Sequence, residues 1–253
     1  MGTEKAGNKV KIGDKSMVEE ESRIERVSTG VKDIDKITEG GFEKNSTNLI
    51  LGDDGSGKTI FGVQFLIDGI LKGEKCLYIT FEERKKDFFL NMRSLGFNLE
   101  KYEKEDKFFF IEYTPEKVKA MLEEGGGVIE TLILNKKIKR VVIDSMTSFG
   151  LLFENNLEKR ESLLSLFGML KKWECTTLLT YEGNMEDHRK APDILELESD
   201  SILIFYFPRE ESERERYMEI LKMRGTKHSS QLYRFSIEKG GIKLGKVAVS
   251  KKI

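Results

Sequence analysis

Eight consecutive residues, Gly52-Asp53-Asp54-Gly55-Ser56-Gly57-Lys58-Thr59, place a glycine, four free positions and then Gly-Lys-Thr in the order that cradles a nucleoside triphosphate. Gly55 and Gly57 let successive backbone N–H groups turn inward around phosphate oxygens, and the N-terminus of a following helix adds its positive end. Lys58 then reaches the β and γ oxygens, and the Thr59 hydroxyl sits on Mg²⁺. The expected nucleotide contacts of this loop are Asp54, Gly55, Ser56, Gly57, Lys58, Thr59 and Ile60. Two carboxylates this close would repel phosphate, so the side chains of Asp53 and Asp54 are expected to point to solvent while the free positions contribute backbone.

Three more groups suit the same chemistry. Arg140-Val141-Val142-Ile143-Asp144-Ser145 is an apolar run ending in an acid. On a parallel strand beside the loop strand, Asp144 faces the phosphate crevice and joins Thr59 in holding the metal. Phe81-Glu82-Glu83 ends another apolar run, and its carboxylates reach the same sheet edge, where they can orient the attacking water. Glu83 is the favoured base, with Glu82 assisting; a helix N-terminus using acids against its dipole explains the same pair. Lys222-Met223-Arg224 alternates two cations on one strand face, suited to the charge that builds on a transferring phosphoryl group. Action in cis and action across a subunit boundary are both open, and a solvated strand edge guarded by positive charge is the plainer reading.

The elements needed to position these groups are legible. Residues 48–51 form a short buried strand and residues 60–71 the helix that the loop opens. Apolar, β-forming runs follow at residues 75–81, 108–111, 140–143, 176–180 and 201–207, separated by helical patterns or loops. The alternation predicts an α/β fold, a mostly parallel twisted sheet with helices on both faces. Residues 217–221, 233–237 and 242–249 are spaced as a C-terminal antiparallel hairpin region. Ser28-Thr29-Gly30 is expected to start a short helix through Ile37, and residues 160–173 a helix with Leu163, Leu164, Phe167 and Leu170 on its core stripe.

Composition narrows the class. The 253 residues suit one large core, and 43 Lys and Arg against 44 Asp and Glu leave a formal charge of −1, so no global basic field recruits nucleic acid or acidic lipid. Cys76 and Cys175 lie apart in apolar runs, which argues against zinc and against a secreted disulfide scaffold and points to the cytoplasm. No apolar stretch approaches membrane-spanning length. Residues 1–22, rich in Gly, Lys and Glu, are expected to form a disordered tail, leaving 23–253 as a single domain. Trp173, Phe88 and Phe89 fall at packing positions, and His188 has no partner at ligand spacing.

Taken together, Ser28-Thr29-Gly30, the loop from Gly52 to Thr59, Phe81-Glu82-Glu83, Val142-Ile143-Asp144-Ser145 and Lys222-Met223-Arg224-Gly225-Thr226-Lys227-His228 resemble a single KaiC domain of the RecA-type P-loop ATPases, related to archaeal KaiC and RadA proteins. The resemblance runs from Arg26 to about Leu244. It implies a RecA-like core that assembles into a homo-oligomeric ring, usually a hexamer, with ATP and Mg²⁺ at each interface and a protein partner of unknown identity. By the same likeness, Lys222 and Arg224 reach the γ-phosphate of the neighbouring protomer, and Met223, Thr226 and His228 lie beside the nucleotide. Ser94 meets the base or sugar, and Thr180-Tyr181-Glu182 is the central strand end that senses phosphate.

There are departures from that pattern. The clock members carry two such domains in tandem, and one is seen here. Where their autokinase domain has adjacent Ser and Thr, this chain has Glu196-Leu197 ahead of Ser199-Asp200-Ser201, so autophosphorylation by that route is not expected. Two other readings compete. A RadA-like recombination ATPase needs basic loops at the ring axis, but residues 183–200 hold six acids against Arg189 and Lys190, the wrong sign for a phosphate backbone. A non-catalytic, ATP-dependent assembly module would share every nucleotide motif and differ only in turnover.

Overall fold

Runs rich in Val, Ile and Leu become strands covered on both faces, and this builds the sheet that carries the site. The computed structural model describes residues 24–183, 191–210 and 212–248. The expected tail, His188 with its basic and acidic neighbours, and the last residues lie outside them.

A small ribbon of β1 (Arg26–Val27) and β2 (Phe42–Glu43) flanks α1 (Lys32–Ile37). Then come β3 (Thr47–Gly52), α2 (Lys58–Leu71), β4 (Lys75–Thr80), α3 (Lys85–Ser94), α4 (Leu99–Lys104), β5 (Phe108–Glu112), α5 (Pro115–Glu123), α6 (Gly127–Lys136) and β6 (Ile138–Asp144). The chain continues through α7 (Met146–Leu151), α8 (Asn156–Trp173), β7 (Thr176–Glu182), α9 (Asp193–Glu198) and β8 (Ser201–Tyr206). A second ribbon, β9 (Arg209–Glu210) with β10 (Glu213–Arg214), leads to β11 (Arg216–Met223), β12 (Tyr233–Glu238) and β13 (Gly241–Val247).

Nine strands form one sheet in the order β13-β12-β11-β8-β3-β7-β6-β4-β5. From β8 to β5 every pairing is parallel; β11, β12 and β13 extend the same sheet antiparallel. The mostly parallel α/β fold and its antiparallel C-terminal region are as expected. Because side chains alternate along β3, Ile50 joins Phe61, Phe65 and Tyr78 on one face, while Leu49 and Leu51 join Leu77, Ile143, Phe167 and Trp173 on the other. Phe88 and Phe89 are core residues too, and burial pushes the Cys76 thiol up and the Cys175 thiol up to about 12, so both are inert at neutral pH.

Three local expectations are corrected. The first helix begins at Lys32, and its N-cap, Val31, makes no side-chain bond. Thr29 instead donates to Asp35 Oδ1 through both its N–H and its hydroxyl, each at 2.7 Å, and Ser28 donates to Asp68, so Ser28-Thr29-Gly30 anchors the ribbon to α2. Leu164 is 43% exposed and Leu166 takes its place in the core, because one residue on an α-helix is a turn of about 100° away from Leu163. Residues 193–198, read as part of an axial loop, form α9.

Periodicity also gives no sign that Arg140, in the middle of an apolar strand, is 1% exposed. Its guanidinium pairs with Glu74 and with Asp68 at 3.1 Å, donates to the carbonyls of Ser28 and Phe65 at 2.9 Å, and lies over the Phe65 ring. A charge buried this deeply needs every one of these partners. For the repacked helix, Leu163→Ala should destabilise the protein by about 2–5 kcal/mol, whereas Leu164→Ala should stay within about 0.5 kcal/mol; urea unfolding of the two variants measures the difference.

Candidate functional site

Parallel strands end at one edge, and the site is built there. β3 runs into the phosphate loop, where Gly57 takes φ 108° to turn into α2, a conformation that glycine adopts freely. A Cβ on Gly57 would also stand 2.9 Å from Ile237, and one on Gly52 would stand 2.4 Å from the Phe205 carbonyl oxygen, so both glycines are required by close approach. Lys58 is 6% exposed, with Nζ folded back to donate to the carbonyls of Gly52 at 3.0 Å and Asp53 at 2.9 Å. Burial lowers the Lys58 pKa, while the carboxylates of Glu182, Asp144, Asp54 and Asp53 act to raise it. The buried Ser56 hydroxyl has no partner among the described residues, and Ile60 sits half-buried on the first turn of α2.

Asp144 closes the floor of the crevice. Its Oδ2 accepts from the Thr59 hydroxyl at 2.7 Å and the Tyr78 hydroxyl at 2.5 Å, and its Oδ1 accepts from the Thr180 hydroxyl at 2.5 Å. Among the described residues no cluster of three His, Cys, Asp or Glu could hold a metal. A lone carboxylate with a threonine hydroxyl is an oxygen donor pair that fits Mg²⁺, which keeps most of its ligands as water and phosphate oxygens.

The two glutamates have separate environments. Glu82 accepts from Ser145 Oγ at 2.8 Å and from Ser148 Oγ, so α7 holds it down. Glu83 has no such clamp. Partial desolvation, then the negative charges of Asp144, Glu82 and Asp87, raise its carboxyl above the usual glutamate value. Thr80 Oγ1 accepts from the N–H groups of both glutamates, at 3.2 and 3.1 Å, which fixes the turn that carries them. At the end of β7, level with Gly52, burial raises the Glu182 carboxyl against the lowering effect of Lys58.

Lys222 and Arg224 stand elsewhere. Lys222 pairs with Ile202 and Met223 with Ser201, the first residues of β8, so both cations leave the sheet at its amino edge. The phosphate loop lies at the other end of a six-residue strand, about 20 Å away. Lys222 donates to the carbonyls of Glu196 at 2.9 Å and Ser199 at 2.7 Å, and Arg224 to the Leu197 carbonyl at 2.8 Å and to Asp200 at 3.2 Å. They therefore cap the C-terminus of α9, where cations complement the dipole, and they do not reach the phosphate loop of their own chain. Thr226 donates to the Arg224 carbonyl at 3.1 Å, and His228 Nδ1 lies 3.0 Å from the Ser229 carbonyl oxygen on the same edge. The Met223 side chain is buried in the core, leaving only its backbone for a nucleotide contact. Ser94, exposed at the end of α3, donates to the Asn91 carbonyl at 2.7 Å; the Gly240 N–H donates to the next carbonyl, Leu95, so the β12–β13 hairpin packs against both Ser94's neighbour and Gly57.

The loop's outer wall corrects one expectation. Asp54 is exposed, but Asp53 is turned to the protein and accepts from the Phe207 N–H at 2.8 Å. Arg216, stacked at 4.1 Å on the Phe207 ring, donates through Nε and a terminal nitrogen to the Gly55 carbonyl at 3.1 and 3.0 Å. Sequence reasoning missed Arg216, Phe207 and Tyr78. Tyr78 is two residues before Thr80 on the same strand face, and Arg216 opens a strand whose other end carries Lys222, signals by which these two could have been found; no spacing singles out Phe207.

A phosphate loop, a strand-end acid bonded to the loop's threonine and a carboxylate pair along one edge of this sheet define a RecA-type P-loop ATPase domain. The family model described as "ATPase: KaiC" matches residues 27–248, and the chain belongs to the KaiC family. It is 32% identical over 234 residues to the circadian clock oscillator protein KaiC of Synechococcus elongatus, covering 89% of this chain and 45% of that protein. It is 31% identical over 231 residues to the circadian clock protein KaiC3 of Synechocystis, covering 87% of this chain and 46% of that one. The chain thus spans about half the length of the curated relatives it matches. The crystal structure of the KaiC-like protein PH0186 from Pyrococcus horikoshii OT3 superimposes with a TM-score of 0.80 at 34% identity, covering 88% of this chain and all of that one.

The Arg216 fork is not replaceable by a lysine, which lacks both the planar stack and the paired donors. Arg216→Lys should speed hydrogen exchange of the amides at 55–57 in the nucleotide-free protein, read by mass spectrometry of the loop peptide; unchanged exchange would show that the fork does not restrain the loop.

Proposed function

We propose that this chain is a Mg²⁺-dependent ATPase that binds ATP between copies of itself in a ring, with six copies as the expected number, and hydrolyses it slowly to drive or time a conformational change. The observation that carries the reading is the separation of Lys222 and Arg224 from their own phosphate loop. From the amino edge, cations that neutralise a transferring phosphoryl group would act only on a nucleotide held by a neighbour. Membership of the KaiC family supports the ATP-binding part.

In this reading Lys58 leaves the Gly52 and Asp53 carbonyls for the β and γ oxygens, and the amides of Gly55 to Thr59 cradle the phosphates. Mg²⁺, bound by the Thr59 hydroxyl and the Asp144 carboxylate, would supply charge neutralisation across the phosphates. Glu83, unclamped and with its proton affinity raised, takes the proton of the attacking water as the water oxygen bonds to the γ-phosphorus and the bond to the bridging oxygen breaks. Glu82, held by Ser145 and Ser148, orients that water. Thr226, His228 and the Met223 backbone border the neighbour's nucleotide, and Ser94 the base or sugar of the chain's own. The proposed setting is a reducing cytoplasm, which suits two free, buried thiols.

Light scattering with and without Mg²⁺-ATP, run beside phosphate release, tests the interface. A ring formed or tightened by ATP together with slow release supports it; ATP-tightened rings that release no phosphate indicate an assembly module, and a monomer that hydrolyses ATP removes the role in trans. Glu83→Gln should keep ATP binding and lower turnover by at least about 100-fold; turnover at the parent rate would remove Glu83 as base. Because the base must be ionised, turnover should fall as pH drops through the raised Glu83 value. Glu82→Gln removes one of the charges that raises it, so the acid limb of the rate profile should move to lower pH.

A further inference from the structure

We propose that Tyr78 is a positioning residue for the divalent cation, its hydroxyl fixing the Asp144 carboxylate so that Oδ2 faces the proton of Thr59. The inference rests on the Mg²⁺-ATP reading above.

Alternation along β4 puts Cys76, Tyr78 and Thr80 on the face covered by α2. The Tyr78 ring is 1% exposed, stacked on Phe110 with centroids 5.6 Å apart and planes 3° from parallel, and packed against Phe88 at 4.5 Å. A phenylalanine would fill this space equally well. The hydroxyl adds nothing to packing, and burying it costs free energy unless it finds a partner. Its partner is Asp144 Oδ2, the oxygen that also accepts from Thr59.

The terminal torsion of an aspartate is broad and roughly two-fold, so a strand-end carboxylate alone does not choose which oxygen it presents. Here three hydroxyls from three elements choose for it: Tyr78 of β4 and Thr180 of β7 from the sheet side, and Thr59 from α2. With the carboxylate held by Tyr78 and Thr180, the Thr59 proton is drawn to Oδ2, and the Thr59 lone pairs are left facing away from Asp144, free for a hard cation. Tyr78 touches neither nucleotide nor metal in this account and acts through Asp144.

The test is Mn²⁺ binding to the complex with a non-hydrolysable ATP analogue, followed by electron paramagnetic resonance, in the parent and in Tyr78→Phe, with analogue affinity in EDTA as the reference. Metal affinity should weaken about tenfold relative to that reference, and the metal concentration giving half-maximal phosphate release should rise by the same factor. A purely structural hydroxyl would lower the melting temperature without moving either. Unchanged or tighter Mn²⁺ binding overturns the role of Tyr78 alone, whereas a parent protein that binds no metal-nucleotide complex overturns the proposed function. Should Tyr78→Phe not fold, 3-fluorotyrosine installed at position 78 gives a second readout. Its ¹⁹F resonance should shift when Mg²⁺ joins the nucleotide complex and stay fixed in Asp144→Asn, and a resonance indifferent to metal in the parent overturns the proposal.

Discussion

One carboxylate ties the sheet to the helix that opens the phosphate loop. Asp144 accepts hydroxyl bonds from β4, β7 and α2 at the edge where the parallel strands end. Several donors meet its two oxygens, and those donors come from segments brought together only by strand order. The arrangement therefore depends on β6 lying between β4 and β7, with β7 beside β3. Once that order is set, the ends of the strands deliver Gly52, Thr80, Asp144 and Glu182 to a common edge, and the chemistry follows from what stands there.

The same edge shows how neighbouring acids come to differ. Glu82 and Glu83 are adjacent in sequence and share the Thr80 turn, yet one is bound by two serine hydroxyls and the other is left with repulsion from three carboxylates. Partial desolvation, then crowding by like charge, favours proton uptake by the second. The position of α7 gives the two members of the pair different surroundings, which is what the separate roles proposed for them require.

Local patterns made much of this legible. The phosphate loop, the strand ending in Asp144 and the glutamate pair are contiguous signatures, and their strands appear within a residue or two of the expected positions because a strand buried on both faces reads as an unbroken apolar run. What was hidden is what depends on pairing between distant segments. Asp53 turns inward because the Phe207 N–H, 154 residues away, waits for it. Arg216 reaches Gly55 because β11 doubles back beside β8. The side on which Lys222 and Arg224 emerge follows from the direction of β11, which spacing alone does not give. Arg140 shows the converse: a strand that reads as apolar holds a fully buried cation, because Asp68, Glu74 and two carbonyls from other elements surround it.

The course of β11 has a mechanical meaning. Its first residue, Arg216, grips the phosphate loop of its own chain, and Lys222 stands near its far end, with Arg224 just beyond. Eight residues of strand span about 25 Å and hardly stretch, being hydrogen-bonded to β8 along their length and to β12 near the Arg216 end. In the proposed ring of identical copies, where each contact would be head-to-tail, such a strand would be a connecting rod between consecutive nucleotide sites. A displacement at one loop would then be carried to the next site, and the polarity of the chain would give that transmission a single sense around the circle.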